Sequence, residues 1–221
     1  MRIVVLAAAA LVTAAAGPQA LAPGLISTAA NEYNLTTARD GSRVFARSEA
    51  DFRNARIFVQ QGTSAPEPIA FTDARWSDSD PHLSADGREL TFVSTRPLPD
   101  RPSSTDLNVW RSVRALEGGW SAPEPVAGAN GAGPELGAEP HGERLRFVSV
   151  RRGGLGALDI YELADGQVRL LPAPVNSPGS HSDYTEHPSG RAAVFWSDRA
   201  GGLGGGDLYV VAIGPGPTGR R

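Results

Sequence analysis

Cysteine is absent from the 221 residues, which removes disulfides, thiolate metal sites, cysteine nucleophiles and lipidation at cysteine. Lysine is absent too: all 21 basic residues are arginine, in keeping with a GC-rich genome. The net charge is −3, so no basic surface points to a nucleic-acid partner. Charged residues are 20% and hydrophobic ones 40%, enough for a packed core and against global disorder. Glycine (26) and proline (18) together make about a fifth of the chain. That suits many strands joined by turns better than helices.

The one long apolar run, Ile3 to Ala16, is broken only by Thr13 and follows Met1-Arg2. It is short of the roughly 20 residues that span a bilayer. It predicts a signal peptide over residues 1–16, cut after Ala16, with an uncleaved anchor as the alternative. We therefore expect a periplasmic or secreted protein with no membrane span after cleavage.

Four stretches repeat: NEYNLTTARDGSRVFARS from Asn31, SDPHLSADGRELTFVST from Ser79, AEPHGERLRFVSV from Ala138 and TEHPSGRAAVFWSDR from Thr185. Each opens with an acid (Glu32, Asp80, Glu139, Glu186), turns at a glycine and closes on an apolar strand ending in serine. The glycines, Gly41, Gly87, Gly142 and Gly190, lie 46, 55 and 48 residues apart. Such a period with short strands points to propeller blades. After three of the strands come an arginine, a loop, an Asp and another apolar strand: Arg96 to Asp106, Arg151 to Asp159, Arg199 to Asp207. Proline-marked segments from Ala65, Ala122 and Ala173 supply an outer strand.

The fold class expected is all-β, a propeller of four blades with four antiparallel strands each over residues 17–213, then a disordered tail, 214–221. The last unit stops after its third strand. Ala22-Pro23-Gly24-Leu25-Ile26-Ser27-Thr28 looks like APEPIAFT, so Leu25–Thr28 is expected to clasp the strand at Leu208–Val211 and close the ring. An open array, or a dimer that shares blades, is the alternative.

DPHLSADGRELTFVSTR and SDRAGGLGGGDLYVV resemble the TolB-type propeller repeat, related to the WD repeat, over roughly Leu25–Ile213. The resemblance implies an envelope propeller that binds a protein or peptide. TolB's two further blades and N-terminal α/β domain have no counterpart here, so its partners do not carry over.

For chemistry, we expect Arg96–Asp106, Arg151–Asp159 and Arg199–Asp207 to be structural pairs fixing each loop. The glycine loops RRGGLGALD and RAGGLGGGD lead into strands, not helices, which argues against a phosphate loop. His82, His141 and His187 recur beside the repeat prolines; spread around a ring, they line it rather than hold a metal. Glu32, Asp80, Glu139 and Glu186 are expected near one channel rim, where they receive a cation, a basic peptide or a partner's arginine. The other reading secures each acid within its own blade. No cofactor is implied. The leading function is a non-enzymatic binding module. The alternative is a hydrolase or lyase acting on a glycan or peptide, with Asp183 and Glu186 as the acid–base pair.

Overall fold

The structure, a computed structural model, describes residues 18–214. The segment 1–16 and, Gly214 aside, the tail lie outside the described residues. Every element among them is a strand. Blade 1 is β1 (Asn31–Thr37), β2 (Arg43–Ser48), β3 (Arg56–Gln60) and β4 (Glu67–Pro68). Blade 2 is β5 (Asp78–Leu83), β6 (Glu89–Ser94), β7 (Asn108–Val113) and β8 (Glu124–Pro125). Blade 3 is β9 (Glu135–His141), β10 (Arg144–Ser149), β11 (Asp159–Ala164) and β12 (Gln167–Leu170). Blade 4 is β13 (His181–Glu186), β14 (Ala192–Ser197) and β15 (Asp207–Ala212). Each blade is an antiparallel meander in chain order, and the four make a four-bladed β-propeller. Gly41, Gly87, Gly142 and Gly190 turn the first hairpins with φ of 84°, 71°, 62° and 64°. Those left-handed values cost glycine little.

The outer strands differ from expectation in blade 3. There the strand is β12, folded back by Asp165 and Gly166 (φ 51° and 70°), not the segment from Ala173. An Asp-Gly pair between alternating strands favours this tight hairpin.

Alternation along each second strand sends side chains to both sheet faces, and between consecutive blades the facing sides pack together. Val44 and Ile57 of blade 1 pack with Leu90, Phe92 and Trp110 of blade 2. Val93 and Val109 of blade 2 meet Leu145, Phe147 and Tyr161 of blade 3. Val148 and Ile160 of blade 3 meet Tyr184, Ala193 and Phe195 of blade 4. Each fully buried side chain of this size contributes about 1.5–3 kcal/mol. The three seams are the core.

The fourth seam corrects the expected clasp. Among the described residues β15 pairs with β14 alone, and the fourth sheet has three strands. Residues 21–27 are turns: Leu25 and Ile26 N–H both donate to the Ala22 carbonyl, at 3.0 Å. Gly24, at φ 80°, breaks the extended run that pairing requires. The segment is held instead on blade 1, where Arg47 Nη2 donates to the carbonyls of Leu25 (2.8 Å) and Ile26 (3.1 Å). Among the described residues no strand of blade 4 lies against a strand of blade 1.

Candidate functional site: the central channel

The inner strands β1, β5, β9 and β13 each carry a bulge, seen as a break in register with the second strand. At the bulge stands one left-handed residue: Asn34 (φ 52°), Asp80 (49°), Gly137 (48°) and Asp183 (52°). Asn, Asp and Gly tolerate that conformation best. A bulge re-aims its side chain, and here the bulges fix the true equivalence of the blades. Two residues earlier stand Glu32, Asp78, Glu135 and His181, opposite Arg47, Ser94, Ser149 and Ser197. Two residues later stand Thr36, His82, Glu139 and Thr185, opposite Val44, Thr91, Arg146 and Val194.

The four acids chosen from the repeat therefore occupy four different levels, and they do not form one rim. Matching Asp80-Pro81-His82 to Glu139-Pro140-His141 is a two-residue slip. β9 runs on to His141 and turns within Gly142-Glu143, whereas the first turn of blade 2 takes residues 84–88. A slip of two keeps every side chain on its own face, so the pattern alone does not expose it.

Asp80, Glu139 and Asp183 do come together. They line a channel of about 340 Å³ with Asn34, Thr36, His82 and Thr185, drawn from all four blades. Asn34 Nδ2 donates to Asp80 Oδ1 at 2.6 Å, and Gly137 N–H to Asp80 Oδ2 at 3.3 Å. Thr185 Oγ1 donates to Glu139 Oε1 at 2.9 Å, and Ser182 Oγ to Asp183 Oδ2 at 2.6 Å. Burial pushes the Asp80 carboxyl up; the Gly137 bond opposes this and the Asp183 charge adds to it. Burial also raises Glu139, against the bond from Thr185. His82 is driven down by burial and by His141, so it is neutral at pH 7. Among the described residues no arginine lines this channel.

The other expected residues lie elsewhere. Burial alone would raise Glu32, but bonds from Thr28 and Arg47 outweigh it and hold it low. Its carboxylate meets Arg47 Nε at 2.9 Å. Glu186 is buried between blades 3 and 4, 3.1 Å from both Arg146 Nη2 and His141 Nε2, with Arg144 at 3.6 Å. It is therefore outside the channel and apart from Asp183 as an acid–base partner. His187 is exposed and bonds Ser189 in its turn.

The arginine pairs are also corrected. Arg96 meets Asp78 at 2.9 Å and Arg151 meets Glu135 at 3.1 Å, so each guanidinium reaches the first residue of its own inner strand. In blade 4 that residue is His181, and Arg199 bonds the carbonyls of Pro174 and Val175. Each arginine donates from N–H and Nε to its serine, Ser94, Ser149 or Ser197, at 3.1 and 3.0 Å. Each also lies over two or three aromatic rings. Asp159 and Asp207 cap their own loops, accepting N–H bonds from Leu155 and Gly156, and from Leu203 and Gly204. Asp106 bonds Ser104. A Cβ on Gly154 or Gly202 would stand 2.1 or 2.2 Å from the capping Asp, which is why those loops hold glycine.

Sequence reading missed Asp78 and Glu135, whose signal was the serine they face, and Asn34, whose signal was a polar residue able to turn left-handed.

No family model matches the chain, and no curated protein does. Among solved structures, the tricorn protease matches at TM-score 0.54 and 14% identity over 81% of this chain and 21% of that one. Prolyl oligopeptidase B from Galerina marginata, bound to a 35mer hydrolysis and macrocyclization substrate, matches at TM-score 0.51 and 13% identity, over 81% and 26%. A thermostable family-43 glycoside hydrolase gives TM-score 0.45 at 12% identity, over 85% and 75%. The chain thus spans about a quarter of the first two. At these identities the likeness to the first two is one of fold.

Proposed function

We propose that the chain is an exported binding propeller of the TolB type, whose channel takes a cationic group of a protein or peptide of the cell envelope. The reading rests on one observation: Asp80, Glu139 and Asp183 line a channel that holds no guanidinium to neutralise them. Confined charge of one sign focuses the field and draws in an opposite charge. An arginine or lysine side chain, or a peptide N-terminus, is the group that fits.

The test uses a labelled arginine-rich peptide and its glutamate-rich counterpart. The first should bind and weaken with salt; the second should not. Asp80→Asn with Asp183→Asn should weaken binding by about 10- to 100-fold and flatten the salt dependence. Equal binding by the parent and the double variant would overturn the channel as the site. Export is checked separately by mass spectrometry of envelope material, where an N-terminus still at Met1 would count against it.

The raised carboxyl groups of Asp80 and Glu139 favour a second reading, a hydrolase or lyase acting on a glycan or peptide. Turnover of such a substrate that is lost in Asp80→Asn would separate it from binding alone.

A further inference from the structure

Blade 4 presents a bare apolar sheet face. Its cross-strand pairs on one side are Ala192 with Ala212, Val194 with Val210 and Trp196 with Leu208. Val194, Leu208 and Val210 are 38%, 74% and 75% exposed. The same ladder one blade earlier is closed: Val148 and Ile160, equivalent to Trp196 and Leu208, are at most 1% exposed beneath blade 4. No charged side chain interrupts the bare ladder, whereas Arg146 and Glu162 stand at the Val194 and Val210 positions of blade 3. An apolar patch of this continuity marks an interaction surface.

Blade 1 of the same chain does not cover it. The opposing aromatics there, Phe45 and Phe58, stack on each other at 5.8 Å, and the Arg47 guanidinium lies across both. Arg47 is tied in turn to the carbonyls of Leu25 and Ile26, and Ile26 is 3% exposed. The chain's own turn segment thus occupies the seat that a fourth seam would need.

We propose that the occupant is a second copy of this chain, with the two fourth blades packed face to face about a two-fold axis. This is independent of the channel reading. Sheet face on sheet face is how the other three seams of the molecule are made, so the contact continues an existing packing mode. An uncharged apolar ladder offers nothing to select a partner by charge, but it complements itself, as an isologous interface requires. The apolar ladder is two strands wide, with Ser182 and Thr185 of β13 beside Trp196 and Val194. It is smaller than the roughly 800 Å² per partner of a standard interface, so the dimer is weak.

The experiment is sedimentation of the full chain between about 10 and 500 µM, the range in which such an interface saturates. Parent protein should shift from monomer to dimer. Val210→Asp, at an exposed position, should keep its melting temperature and raise the dimer dissociation constant at least about 100-fold. Because the chain has no cysteine, Val210→Cys should cross-link to itself under mild oxidation. Leu116→Cys, 83% exposed on blade 2, should do so far more slowly. Parent protein that stays monomeric, dimers that persist in Val210→Asp, or equal cross-linking of the two cysteine variants would each overturn the proposal. So would a monomer in which Val210→Cys resists a small thiol reagent, since the chain itself would then cover the face.

Discussion

Blades 2 and 4 share a spine and differ in what it supports. In both, a serine ends the second strand and an arginine two residues on folds back over aromatic rings. In blade 2 that arginine meets a buried carboxylate, Asp78, and the next-facing sheet side lies under blade 3. In blade 4 the carboxylate is replaced by a buried histidine, and the same sheet side is open. One blade is locked by charge on the inside and by packing on the outside; the other has neither lock. Repetition of sequence therefore does not mean repetition of stability.

The largest expected effect tests the inner lock. Arg96→Met should strand the Asp78 charge and cost about 3–5 kcal/mol. Arg199→Met removes only carbonyl and serine bonds and ring stacking, about 1–2 kcal/mol. Urea denaturation of the two variants measures the gap, and equal losses would erase the distinction. Packing is compared next. Ile160→Val should cost about 0.5–1.5 kcal/mol, and the equivalent Leu208→Val no measurable amount in dilute monomer.

Smaller effects follow from titration. Burial drives His181 down, so the folded protein keeps it neutral where the unfolded chain takes up a proton below the ordinary value of 6.5. Its stability contribution is complete above 6.5 and is lost as pH falls below it. His181→Gln should flatten that limb of a stability–pH curve. Asp80 has the opposite sign. Its folded carboxyl binds a proton more tightly than the ordinary value of 3.8, so stability declines as pH rises from 3.8 through the raised value. Asp80→Asn should reduce that decline, Glu139 keeping its own share, and leave the His181 limb in place.

Much of the architecture was legible because it repeats. The turn glycines, the terminal serines and the apolar strands recur in each of the four units, and in the structure each glycine turns a first hairpin and each serine ends a second strand. The arginine partners were not legible. A guanidinium on a long stem reaches across a strand as readily as along a loop, and nearness in sequence favoured Asp106, Asp159 and Asp207. The acid levels were hidden by the short Gly142-Glu143 turn, which moved Glu139 by two residues without changing its face. The clasp failed on one residue: Gly24 makes a turn of a segment whose composition reads as strand. What the channel gathers, Asp80 with Asn34, Glu139 and Asp183, comes from bulges, and a bulge leaves no periodic trace in the sequence.

The missing clasp also has a kinetic side. Among the described residues every strand pairs with its sequence neighbour, and none pairs across the ring. Chain ends need not find each other before a blade gains its ladder, so the entropy of closing a large loop never enters the barrier. Each blade can form as the preceding one is completed, in the order of synthesis. Unfolding should run the other way: blade 4, with one seam and an open edge, exchanges its amide protons first and leaves the three blades behind it standing.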